Sequence, residues 1–258
     1  MAVFRVGIPR RFVSSLVLVG LWQAGSMLGL IPPRTLAAPA TILATAWLLM
    51  ASGELGHHLV VSVARVAVGL AVGVATGAVL AIAAGLSRVG EEIVDAPMQM
   101  IRTLPFLGLV PLFILWFGIG ETPKIALVAL GTVFPIYLNL FAGIRGVDVK
   151  LVEAGRVFGL DAAGLVRHVI LPAALPSALV GLRYALGVAW LSLVIGEQIN
   201  ATAGIGYLIA DARDFLRTDI IVVGLLVYAL LGLGADALVR ALERRTLAWR
   251  PSLIRASP

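Results

Sequence analysis

Six stretches of this chain are apolar over the length of a membrane crossing or close to it: Phe12–Ile31, Leu59–Leu86, Leu104–Ile119, Ile125–Ile144, Ala178–Ile199 and Ile220–Leu238. A helical crossing needs roughly 20 apolar residues, with a working range of about 17–25. Backbone polar groups in hydrocarbon must be satisfied within the protein, and a helix does this inside one segment. Only 13% of the residues are charged, against about 25% in soluble domains. The fold class that follows is an all-α membrane protein with about six transmembrane helices. The second stretch is long and predicts a tilted helix. The third is short and contains Pro105 and Pro111. It predicts a kinked helix whose broken backbone bonds are shielded by neighbours. A seventh apolar piece, Thr41–Met50, is too short to cross and reads as a helix at the outer surface, with a span as the alternative.

Orientation follows from Lys and Arg, which concentrate on the cytoplasmic side. With both termini placed inside, most of the 20 basic residues fall there. Arg88 and Arg102 then share one inner loop, and Arg145, Lys150, Arg156, Arg167 and Arg183 cluster around another. Arg34, Lys124, Arg213 and Arg217 fall outside, and Arg65 lies within a span. The net charge of +6 is thereby explained by topology, and no nucleic-acid partner is implied. No small-residue cleavage site follows the first apolar run, which reads as a retained span. With no cysteine in the chain, disulfides and thiolate metal sites are excluded.

Small residues recur every four positions in the second span, at Gly69, Gly73, Gly77, Ala81 and Gly85. This lets helix backbones approach closely in lipid. The pattern leaves open whether the partner is another helix of the same subunit or a second copy.

Between the fourth and fifth spans lies a polar segment, "EAGRVFGLDAAGLVRHVILP", Glu153 to Pro172. Asp148 is placed to cap a helix from Val149, and Gly159 to end it. Asp161 is placed to cap a second short helix, which Leu171-Pro172 is expected to stop. The two helices carry too many apolar residues for a solvated loop, so the segment is expected to dock on something. Glu153 stands three residues before Arg156 and is placed to pair with it along the helix, or to contact a partner.

The segment resembles the EAA loop of ABC importer permeases. That pattern is Glu-Ala-Ala, three residues, Gly, nine residues, an aliphatic, one residue, then Leu-Pro. It reads here as Glu153, Ala154, Gly155, then Gly159, then Val169, then Leu171 and Pro172. Gly155 stands where Ala is usual and Val169 where Ile is usual. Gly155 should loosen the first helix, since Gly costs about 1 kcal/mol against Ala in a helix interior. The stretches "LFILWFGIGETPKIALVALGTVFPIYLN" and "DFLRTDIIVVGLLVYALLGLGADALVRALERRTLAWR" resemble the branch that serves taurine, aliphatic sulfonates, nitrate, bicarbonate and some vitamin precursors.

The resemblance implies a type I importer bundle forming one membrane domain over residues 1–258, with a cytoplasmic coupling loop at about 147–176. It implies two cytoplasmic ABC ATPase subunits gripping the EAA loops, a second permease copy completing the pathway, and an external binding protein that delivers a small, anionic solute. It implies a bacterial inner-membrane location with both termini cytoplasmic. No phosphate-binding G-x-x-x-x-G-K-[ST] loop occurs, so ATP and Mg are expected on the partner ATPase and no cofactor on this chain.

Ionisable and amide side chains in the spans are candidates for the pathway. Glu197, Gln198 and Asn200 cluster at the outer end of the fifth span, where a gate or a packing hydrogen bond would account for them equally. Asn139 in the fourth span is a further pathway candidate. Arg65 stands about six residues, or ~9 Å, into the second span. A snorkelling role at the outer interface is favoured over an anion-binding one. Asp236 and Arg240 form a structural i,i+4 pair. The outer loop "TAGIGYLIADARDFLRTD" suits either docking of the binding protein or a re-entrant cap. Secondary transporters also use broken helices and midplane polar groups, but need no docking segment of this kind. An embedded enzyme would need convergent catalytic groups. The adjacent His57 and His58, and His168 in the docking segment, do not make such a set.

Overall fold

The computed structural model describes residues 10–199 and 201–249, and every element among them is helical. The helices are α1 (Arg10–Met27), α2 (Pro39–Ala51), α3 (Glu54–Leu86), α4 (Arg88–Arg102), α5 (Phe106–Phe117), α6 (Glu121–Arg145), α7 (Val149–Val157), α8 (Ala162–Leu165), α9 (Leu171–Gln198), α10 (Ile205–Asp214) and α11 (Thr218–Thr246). Four helical stretches are long and apolar enough to cross a membrane: α3, α6, the unbroken run Ala162–Gln198, and α11. The first and third expected spans fall short of that length as helices. Helix α1 ends at Met27, before the expected Ile31. Helix α5 has 12 residues, about 18 Å at 1.5 Å per residue. Pro105 stands at its N-cap and Gly118, with φ 77°, at its C-cap. Helix α2 is 13 residues long, in keeping with an apolar piece too short to cross.

Helices α3, α6 and α9 pack together at the centre. The small-residue stripe makes this possible and settles its own ambiguity: it faces α6 of the same chain. A Cβ on Gly69 would lie 2.6 Å from Val128, and one on Gly85 2.8 Å from Ile144. Ala81 between them is fully buried. Lipid supplies no hydrophobic drive between helices, so close packing of this kind is one source of their attraction, beside interhelical hydrogen bonds.

Helix α4 departs from the expected inner loop. It climbs along α6. Near its start Glu91 ion-pairs with Arg145. One turn on, Asp95 accepts a hydrogen bond of 2.9 Å from the Tyr137 hydroxyl, eight residues back along α6. Met98 lies in the buried cluster that holds Tyr137 and Val133. Arg102, at the far end of α4, is therefore removed from the C-terminal end of α6, where Arg145 sits. Position alone in the sequence had grouped Arg102 with Arg88.

The expected outer loop is a packed helix. Ile205, Leu208, Ile209 and Ala212 of α10 are buried, and the first three share a core with Ile42 and Leu49 of α2, Leu55 of α3 and Val223 of α11. Toward the other end of the bundle, Asp236 pairs with Arg240 as expected. Arg183 of α9 joins that pair at 3.2 Å and also reaches Glu243 at 2.8 Å.

Candidate functional site

The residues singled out by sequence fall into three separate places. The first is a polar knot around Glu197, in the last turn of α9. On α3, His58, Ser62 and Arg65 stand at i, i+4 and i+7, which puts them on one helix face. The Arg65 Nη1 donates to Glu197 Oε1 at 2.7 Å and to the Ala203 carbonyl at 2.6 Å. Its Nε and Nη2 make a two-pronged pair with Glu121, the first residue of α6. The Ser62 hydroxyl donates to Glu197 at 2.8 Å and accepts the Ile205 N–H at 2.8 Å. Glu197 also accepts the Gly206 N–H at 2.8 Å and the Tyr228 hydroxyl at 3.3 Å. The His58 Nδ1 accepts the Gly204 N–H at 3.0 Å. Lys124 adds a second cation 3.4 Å from Glu121.

Arg65, Lys124 and Glu197 are all buried, while Glu121 keeps a half-exposed edge. The knot thus holds two cations and two carboxylates, and ties α3, α6, α9 and α11 to the stretch of chain 203–206. Buried charge is tolerated on these terms, paired and fully hydrogen-bonded. Two glycines are required by the approach. Gly204 adopts φ +121°, and a Cβ on Gly206 would lie 2.7 Å from that of Glu197.

The knot corrects the snorkelling expectation for Arg65. Helix α3 begins at Glu54, five residues before the apolar run does, so Arg65 stands about 16 Å from the helix start. It turns inward to two acids instead of outward to water. The geometry also weighs against a gate at Glu197, whose oxygens are already occupied by protein donors. Gln198 is exposed and makes no such contacts among the described residues, and Asn200 lies outside them.

The second place is a groove of about 630 Å³ between the end of α4, α5, α6 and α9. Asn139 lines it, far from the knot, with one amide N–H donated to the Pro135 carbonyl at 2.8 Å. Most of the wall is apolar, from Leu130, Phe134 and Leu138 on α6 to Val188, Leu191 and Ile195 on α9. Arg102 lines it too, although its place in the sequence points to topology alone. The available signal was the marked two-sidedness of "RVGEEIVDAPMQMIR", which is the mark of a packed helix and not of a loop.

The third place is the segment 148–172. Asp148 caps α7 by accepting the Lys150 N–H at 2.9 Å, and Asp161 caps α8 by accepting the Gly164 N–H at 2.8 Å. Gly159 makes the turn between them with φ +84°, a conformation that L side chains with a branched Cβ rarely adopt. Gly155 is buried, and a Cβ there would lie 2.7 Å from Leu165 and 3.3 Å from Val169. Its small size lets the two helices close on each other, a gain beyond the loosening expected of a helix glycine.

Leu171-Pro172 does not stop the second helix. Residues Val166–Ile170 form a π turn, with the Leu171 N–H bonded to the Val166 carbonyl, and the helix continues into α9. Proline lacks an N–H and its ring crowds the carbonyl four residues back. The wider turn relieves that crowding and keeps the helix whole. Glu153 and Ala154 are exposed, as is Pro172, and Leu171 is half-buried. Glu153 and Arg156 do not pair, and His168 bonds its own helix through the Gly164 carbonyl at 3.0 Å. At the tip, Val157 and Phe158 are 85% and 87% exposed. Among the described residues, no group of His, Asp and Glu is placed to hold a metal.

Residues 73–248 match the family described as the binding-protein-dependent transport system inner membrane component. The chain belongs to that family. It is a membrane permease subunit of an ABC importer. The permease is 49% identical, over 91% of its length and 89% of the relative's, to a protein of Escherichia coli K12 named as the aliphatic sulfonates transport permease SsuC. It is 44% identical, over 96% of its length and 90% of the relative's, to the protein of that name in Bacillus subtilis 168. Identity to the taurine transport system permease protein TauC of Escherichia coli K12 is 37%, over 90% and 86% of the two chains. The permease also shares its fold with a chain in the crystal structure of an amino acid ABC transporter, at TM-score 0.62 and 19% identity, over 73% of this chain and 92% of that one. A chain of the inward-facing MetNI methionine ABC transporter matches at TM-score 0.55 and 20% identity, over 70% and 92%.

Proposed function

We propose that this permease carries a small organic anion, an aliphatic sulfonate or a near chemical relative, across a bacterial inner membrane. The solute arrives from an external binding protein. Two cytoplasmic ATPase subunits supply the energy, and a second copy of this chain completes the pathway. The whole chain, residues 1–258, acts as one membrane domain. Both termini are cytoplasmic. Helices α1 and α5 complete, as shorter members, a set of about six crossings with α3, α6, α9 and α11.

The observation that carries the coupling part is the apolar tip of the segment 148–172. Val157 and Phe158 are almost fully exposed beside a turn that Gly159 alone allows. Apolar side chains held out on a well-capped pair of helices suit a pocket on a partner. The rest of the segment is locked to α9 by an unbroken helix, so a push at the tip is delivered directly to a membrane-spanning element. On this reading Glu153, Ala154 and Gly155 form the base of the coupling element, and Val169, Leu171 and Pro172 its junction with the bundle. Asn139 lies on the pathway side.

The solute class is supported by the relatives' names and by the apolar groove. The test is reconstitution of the permease with its ATPase and binding protein, with butanesulfonate uptake as readout. Gly159→Val should abolish both uptake and partner-stimulated ATP hydrolysis, because valine is excluded from the turn's φ. Survival of both activities in that variant would remove the coupling role.

A further inference from the structure

We infer that Arg102 is the charge-selecting residue of the groove: it takes the anionic head of the solute while the wall of α6 and α9 takes its hydrocarbon. This rests on the sulfonate-uptake reading above and assigns a residue to it. Three observations bring Arg102 to this role.

The first is depth. Helix α4 leaves the level of Arg145 at Glu91 and passes Tyr137 at Asp95. Arg102, two turns further on, lines the same groove as Leu130, Gly131 and Phe134 in the middle of α6. A charged side chain at such depth is rare and costly unless it is paired or serves a pathway. The second is the lack of a partner. Among the described residues Arg102 has no acid within ion-pair distance, a state it shares with Arg34, Arg88, Arg156, Arg167, Arg244 and Arg245, and it alone of these lines the groove. The third is the composition of the wall. Among the described residues, Arg102 is the only charged one in the groove, and no Asp or Glu lines it. Asn139, Ser192 and Tyr184 supply the remaining polar groups, and the Ser192 hydroxyl is already donated to the Val188 carbonyl at 2.8 Å.

The volume of about 630 Å³ falls in the range of small-molecule sites, roughly 300–1,000 Å³. One cation in an apolar wall fits an alkanesulfonate. It fits taurine poorly, because the ammonium group of that aminosulfonate finds no carboxylate among the described lining residues. The planar guanidinium with its several donors also matches an oxyanion better than an ammonium would.

The experiment uses the reconstituted transporter, with ATPase and binding protein, carrying Leu191→Cys in the groove. The chain has no cysteine of its own, so a maleimide reports this position alone on the permease. Millimolar butanesulfonate should protect the cysteine from labelling, and taurine should protect it less. Adding Arg102→Gln should weaken butanesulfonate protection about tenfold or more, the loss expected for one charge-assisted hydrogen bond. Arg102→Lys should keep part of it. Val188→Cys is the second reporter position if Leu191→Cys impairs assembly. Protection that is equal with and without the Arg102→Gln change, in a transporter that takes up butanesulfonate, overturns the role of Arg102 and leaves the function standing. Equal protection by taurine overturns the selectivity. A wild-type transporter that takes up no alkanesulfonate overturns the functional reading itself, and this inference with it.

Discussion

Arg65 and Arg102 are the same residue type in the same membrane-spanning body, and their surroundings could hardly differ more. Arg65 is 4% exposed and gives donors to Glu197, Glu121 and a carbonyl. Arg102 stands on the wall of a groove with no described acid beside it. A buried arginine whose donors are all taken by protein has nothing left for a solute and serves as a fastening. An arginine that lines an apolar cavity unpaired keeps its charge available. The role of an intramembrane cation thus depends on its partners and not on its depth alone.

The largest effect that sharpens this contrast is expected from Arg65→Leu. It leaves Glu197 buried without its cation, and breaking a buried pair in this way costs about 3–5 kcal/mol. The purified variant should melt far below wild type or fail to assemble. Gly204→Ala comes next. Its φ of +121° and its contact with the Glu197 carboxylate both oppose a Cβ, at a cost of roughly 1–3 kcal/mol. A thermal melt in detergent is the readout. The smallest effect is expected from Arg102→Gln, whose stability should stay within about 0.5 kcal/mol of wild type, as for substitutions away from packed or paired groups. A melting loss as large as that of Arg65→Leu would erase the distinction between the two arginines.

The sequence disclosed what local physics decides. Asp148, Gly159 and Asp161 cap and turn the chain where residue type and spacing said they would. Four of the apolar runs lie, to within a residue, inside the long helices, but two of those helices extend well past them: the fifth expected span is continuous from Ala162 where Ala178 is the expected start, and the sixth runs to Thr246 where Leu238 is the expected end. What it concealed depends on distant partners. Arg65 and Glu197 are 132 residues apart, so each looked like an isolated polar residue. The polar face His58, Ser62, Arg65 on an apolar helix was the one trace of the knot. Helix α4 lies between two apolar runs and reads as a connection by position, although its two-sidedness marks a helix that packs. Pro172 does not end its helix, because the π turn Val166–Ile170 makes room for the proline ring and the helix continues into α9.

The most direct test of the account is Glu197→Gln, measured for both thermal stability and butanesulfonate uptake per folded transporter. A fastening predicts a clear fall in melting temperature with an unchanged KM in the molecules that remain folded. An unchanged melting temperature with altered uptake kinetics would make Glu197 part of the pathway gate and contradict the account.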